Sequence, residues 1–251
     1  MGARRSAERD ALLAAPDRRA YLLDHSRLPG PRANLELLDA AGDVLPRDEA
    51  LVLSSLSPAE APAGTALEYL PCCGLAAVGR LLAEGARDTP QLVGRLRAAA
   101  GDERWWVREA VAIALQRWGD ADLPAMVAAI EPWAVGTAFE ARAAVAAICE
   151  PRLLSMPASV RAAVRILDAA TGLLAALPAP RGEPGRVLGA ALGYGWSVAV
   201  AADPAIALPV FEPWTAVDDP GVRRVVRQNL GKARFGKASP DALARLAAAV
   251  G

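Results

Sequence analysis

Apolar residues recur along this chain at helical rather than alternating spacing. Val107, Ala110, Val111, Ala114, Leu115 and Trp118 fall at i, i+3, i+4, i+7, i+8 and i+11, which is one face of a 3.6-residue period. The template returns at Ala141, Ala144, Val145, Ile148 and Cys149, and again at Val222, Val225, Val226 and Leu230. A fainter copy runs through Leu75, Val78, Gly79 and Leu82, and a further inner stripe through Leu188, Ala191, Leu192, Gly195 and Trp196. In three copies an arginine follows the first apolar residue: Arg108, Arg142 and Arg223. Copies stand 32 residues apart from Leu75 to Val107, 34 from Val107 to Ala141 and 81 from Ala141 to Val222, which predicts stacked units of about 32 to 47 residues, each a helix pair.

Prolines and glycines punctuate the chain at helix-length intervals. Helices are predicted over 4–14, 17–26, 32–42, 47–55, 64–85 with a break at Pro71, 89–99, 104–118, 122–133, 138–149, 157–176, 184–201, 204–215, 221–233 and 240–250. Thr89-Pro90, Asp203-Pro204, Asp219-Pro220 and Ser239-Pro240 each pair a capping residue with a first-turn proline. Valines and isoleucines never alternate over a strand's length, so the fold class is all-α. The template is indistinct before residue 60. Residues 1–60 are therefore expected to form an atypical N-terminal helical cap, and 61–251 the repeats with a C-terminal capping helix, all in one continuous α-α superhelix.

Composition narrows the function classes. An apolar fraction of 53% supplies a sizeable core, and 28 basic against 28 acidic residues leave no global field toward nucleic acid or anionic lipid. The first ten residues are charged throughout and do not read as a signal peptide. No stretch reads as a membrane span, and a cytoplasmic protein is expected. Cys72, Cys73 and Cys149 fit neither a disulfide framework nor metal-ligand spacing and read as buried apolar residues. With His25 the only histidine, neither a multi-histidine metal site nor more than one imidazole-based triad can be assembled. Gly189 to Gly195 reads as close helix packing rather than a phosphate loop. No metal, cofactor or catalytic residue is expected.

An acidic or polar turn, then Val-Arg, then alanines and aliphatics closing on Leu resembles the second helix of a HEAT repeat, most clearly at 102–115 and 218–230. The resemblance covers roughly residues 64–235 and implies a HEAT-like solenoid of antiparallel helix pairs. It also implies a ladder of hydrogen bonds pairing Asp102 with Arg108 and Asp219 with Arg223. Arg142 occupies the same slot without a turn aspartate. Residues 196–232 resemble the C-terminal part of bacterial HEAT-repeat proteins, a likeness that names no activity.

Two features stand out as candidate working surfaces. Arg223, Arg224, Arg227, Lys232, Arg234 and Lys237 gather six cations, including both lysines of the chain, and suit an acidic protein partner. Trp105 and Trp106 diverge by about 100° around a helix, so one of them must reach the surface. Glu131-Pro132-Trp133 and Glu212-Pro213-Trp214 repeat at 81 residues and read as a duplicated structural unit. The favoured reading is a non-catalytic binding or scaffold protein. The alternative follows from a resemblance in fold to HEAT-like alkylpurine DNA glycosylases, which would assign the site to Trp105 with Glu109, one turn apart, and Asp102 or Glu103 nearby.

Overall fold

A computed structural model describes the backbone of residues 2–250 and the side chains of residues 5–248, and it is helical with no strand among them. The chain forms two compact units, Met1–Asp122 and Leu123–Gly251.

The first unit contains α1 (Gly2–Ala14), α2 (Arg18–His25), α3 (Leu35–Val44), α4 (Arg47–Leu53), α5 (Tyr69–Ala83), α6 (Thr89–Ala100) and α7 (Trp105–Ala121). Alternate helices pack in series, α1 on α3, α3 on α5 and α5 on α7, while α4 lies against α5 and α6 against α7. The centre is α5, buried without interruption from Tyr69 to Gly79. Helix α7 approaches so closely that a Cβ on Gly79 would come within 2.7 Å of the Ala114 Cα, so only glycine fits there. The apolar segment Ala66–Ala83 is the one helical stretch among the described residues with the length and composition of a membrane span, and 78% of it is buried inside this unit. It is a core helix.

The second unit contains α8 (Leu123–Ile130), α9 (Ala138–Ile148), α10 (Pro157–Ala176), α11 (Gly182–Ala202), α12 (Pro204–Phe211), α13 (Pro220–Leu230), α14 (Ala233–Ala238) and α15 (Pro240–Val250). Helices α9, α11 and α13 lie side by side, with α10 and α12 packed against α11 and against each other. Trp196 of α11, Phe211 of α12 and Phe235 of α14 form a buried aromatic chain with ring centroids 5.4 and 5.6 Å apart. The Trp196 indole N–H donates to the buried Thr171 hydroxyl at 3.1 Å.

Every apolar position of the five template copies is buried, and the helices that carry them, α5, α7, α9, α11 and α13, are the ones that pack side by side within each unit. The 81-residue spacing also proves wider than two tripeptides. Helices α7 and α11 end at Ala121 and Ala202, each is followed by an eight-residue helix, and a five-residue 3₁₀ turn then begins at Glu131 or Glu212. An eleven-residue helix comes next in both copies. The closing helices are braced alike, Arg165 of α10 to Glu131 at 2.6 Å and Arg245 of α15 to Glu212 at 2.6 Å.

Several local expectations change. Pro71 does not break α5, because the helix begins at Tyr69 and a first-turn proline forfeits no intrahelical bond. The helices expected over 122–133 and 204–215 tighten into 3₁₀ turns at Pro132 and Pro213. The segment 221–233 ends at Leu230, and α14 starts as a separate helix after Gly231 and Lys232. Asp203 and Asp219 cap α12 and α13 through their side chains, whereas the Thr89 hydroxyl donates backward to the Ala86 carbonyl.

The boundary between units falls at Asp122, whereas the fading of the apolar template before residue 60 suggested an N-terminal cap over 1–60 of one continuous solenoid. Helices α3 and α4, from before residue 60, pack on α5, and Arg104, 2% exposed, holds residues 56–61 to the start of α7. Its Nε and Nη2 donate to the two Asp102 oxygens at 2.8 and 2.6 Å, Nη2 also to the Leu56 carbonyl at 2.9 Å, and Nη1 to the carbonyls of Ala61 and Ser57 at 3.0 and 3.3 Å. All five guanidinium N–H groups have partners. Beside it, buried Glu68 accepts from the amides of Gly64 at 2.8 Å and Trp106 at 3.3 Å, a carboxylate at the positive end of α7.

Two predictions follow from these contacts. Arg104→Met should cost about 3 to 5 kcal/mol, because Asp102 and three carbonyls lose their donor; a denaturant midpoint equal to wild type would refute this. Burial pushes the thiols of Cys72, Cys73 and Cys149 well above the usual cysteine value, so none should react with a thiol reagent at pH 8 until the protein unfolds.

Candidate interaction surfaces

The cationic segment is built on α13. Val222, Val225, Val226 and Leu230 face the core, which turns Arg223, Arg224 and Arg227 outward. Asn229 is wholly buried and fixes the helix to α11: its Oδ1 accepts from the Ser197 amide at 2.8 Å, and its Nδ2 donates to the carbonyls of Leu192 and Val225 at 2.8 Å each. At the other end Asp219 caps the helix by accepting from the Val222 amide at 2.9 Å. Arg181, from the Pro-rich loop before α11, donates to both Asp219 oxygens, at 3.0 and 2.5 Å.

Past Gly231 the chain re-enters the surface through α14, a six-residue helix anchored by buried Phe235. Lys232, Arg234 and Lys237 surround that anchor and are exposed. All six cations are thus displayed on elements pinned from below. Residues 220–238 contain no acidic residue. Only Arg223 has an ion-pair partner among the described residues, Asp218 at 2.7 Å, itself largely exposed. The patch also gives the two units opposite charge: the second holds 13 basic and 10 acidic residues, the first 15 and 18.

The ladder expected from the HEAT resemblance takes other partners. The Asp102 carboxylate holds Arg104, and Arg108 donates to the main-chain carbonyls of Asp102 and Glu103 at 2.7 and 3.2 Å. The Asp219 carboxylate holds Arg181, while Arg223 turns to Asp218. Arg142 is half-buried on α9, whose start is closed by a capping box of Thr137 with Glu140 instead of an aspartate. The carboxylates are short and sit on turns, so the nearest guanidinium in space, Arg104 or Arg181, takes them.

The tryptophans divide as their helical positions require. Trp118, Trp133 and Trp196 are buried; Trp105 is 51% exposed and Trp106 half-buried, their rings 4.4 Å apart and edge-to-face. Trp214 is half-buried and donates to Asp168 at 2.9 Å. Trp105 and Glu109, the residues of the glycosylase-like alternative, belong to the first unit, and the cationic patch belongs to the second. His25 ends α2, stacked on Tyr21 at 4.0 Å. Among the described residues no three His, Cys, Asp or Glu side chains gather as a metal site would need.

Arg181 and Asn229, on which the patch depends, carried no sequence signal of their own. Arg181 lies in a loop whose composition suggested only exposure, and Asn229 closes a template that is otherwise apolar.

The Asp219 carboxyl is held below the usual aspartate value, chiefly by its hydrogen bonds from Arg181. A depressed folded-state value contributes stability above pH 4, lost as pH falls through it. Arg181→Met should therefore lower stability at pH 7, and the gap to wild type should close in acid, as pH falls through the lowered Asp219 value. Urea titrations at pH 7 and in acid check this; a gap that persists in acid would assign the effect to lost packing.

Comparison with protein-family models, curated proteins and solved structures finds no match to the chain.

Proposed function

We propose that this protein is a HEAT-like solenoid that acts as a non-catalytic binding or scaffold protein, and that the surface of Arg223, Arg224, Arg227, Lys232, Arg234 and Lys237 engages an acidic segment of a protein partner. The observation that carries this reading is the exposure of six cations on buried, pinned elements with no acid between 220 and 238. Serial packing of alternate helices in each unit, and the recurrence of element order at 81 residues, support the solenoid. Three buried thiols without a disulfide fit a reducing compartment such as the cytoplasm.

Exposed charge pairs are worth about 0.2 to 1 kcal/mol each, so several must act together. A labelled glutamate-rich peptide should bind by fluorescence anisotropy at low salt, and the triple variant Arg224→Ala, Arg227→Ala, Arg234→Ala should weaken it roughly tenfold with an unchanged melting temperature. Unchanged affinity would sink the assignment. The same titration with duplex DNA tests the alternative: tighter binding than the peptide with a steep salt slope, and release of alkylated bases lost in Glu109→Gln, would replace it.

A further inference from the structure

A second surface lies wholly in the first unit. The turn after α4, Ser54 to Pro58, and one face of α6 wall an open cleft of about 500 Å³. That is within the range of small-ligand pockets and far beyond the room an isolated ion or water needs. Ala98, Ala99, Val107 and Leu56 make part of the lining apolar, and the Asp102–Arg104 pair completes it.

Most of the polar groups in this lining are already spent. Arg104 has used all five donors and is neutralised by Asp102. The hydroxyls of Ser54 and Ser55 donate to the Leu51 carbonyl, and that of Ser57 donates to Glu60. Arg95 differs. It is half-buried on α6, and only its Nη1 is engaged, with the Leu51 carbonyl at 3.2 Å and the Ser55 hydroxyl. Its Nε and Nη2, the paired edge of the guanidinium, have no partner among the described residues, and no carboxylate neutralises it. Gln91 lies one turn earlier on the same helix, lines the same cleft, and spends no side-chain hydrogen bond.

A planar cation with its two-donor edge free, a carboxamide one turn away and small apolar side chains alongside match one chemistry. We propose that this cleft binds a carboxylate attached to a small apolar group, with Arg95 taking its two oxygens through Nε and Nη2 and Gln91 supplying a further donor. The pinning of Nη1 to the end of α4 holds the fork in place before the ligand arrives, which lowers the ordering cost of binding.

Such a carboxylate comes either as a free short-chain acid or as the C-terminal residue of a peptide. Titration of the full chain with butyrate, with N-acetyl-Ala-Val as the free acid and with its C-terminal amide separates these sources. At least one of the two acids should bind with a dissociation constant of about 1 mM or tighter, and the amide should not. Butyrate alone would identify a free acid, and the peptide acid a chain terminus. Arg95→Met should abolish binding. Because Arg95 also ties α6 to α4, Gln91→Ala provides a variant that disturbs no internal contact: it should keep the wild-type melting temperature and bind roughly three- to tenfold more weakly. No binding of either acid, equal binding of the amide, or wild-type affinity in both variants would overturn the proposal.

Discussion

Each unit is organised around one helix from which water is excluded over most of its circumference. Helix α5 in the first unit and α11 in the second must be surrounded by other helices, because exposing their apolar faces is costly. Their neighbours approach closely: beside the Ala114 backbone only glycine fits at Gly79, and at Gly195 a Cβ would lie 2.8 Å from a Leu167 methyl. Such close packing leaves polar groups near these helices no access to water. Buried side chains must then satisfy them.

In the first unit Arg104 and Glu68 meet that demand, and in the second Asn229 and Thr171. No buried side-chain nitrogen or oxygen among the described residues lacks a partner. The two candidate surfaces stand on elements held in this way. The cationic patch stands on a helix tied to α11 by two Asn229 hydrogen bonds, and on a short helix held by Phe235. The cleft in the first unit lies beside the Arg104–Asp102 pair for the same reason: the turn that forms one wall is the turn Arg104 holds.

Charge separates the units in a way that the neutral total hides. Residues 220–238 carry six cations and no acid, whereas in the first unit several arginines are consumed internally. Arg5 and Arg117 pair with Asp39 and Asp43, Arg80 donates to the carbonyls of Gly42 and Leu45 at the end of α3, and Arg104 is buried. The second unit also uses Arg165, Arg181 and Arg245 as structural contacts, but its cations on 223–237 are displayed. Arg95 stands between the two roles, with one nitrogen bonded and one edge free.

The sequence by itself determined the all-helical class, the faces that are buried and most helix positions, since 3.6-residue periodicity and turn residues act locally and every template position is in the core. The exposure of the six cations was legible for the same reason, because α13 is amphipathic and its arginines fall opposite its valines. The tertiary structure decided what depends on partners distant in sequence. Asp219 chooses Arg181, 38 residues away, because a carboxylate pairs with the guanidinium that folding brings nearest. A buried arginine likewise grips a turn more than 40 residues upstream, a contact no local pattern announces. The cleft exists only because two segments far apart in the chain become its walls. Periodicity records which face a residue takes, and it carries no record of what that face meets.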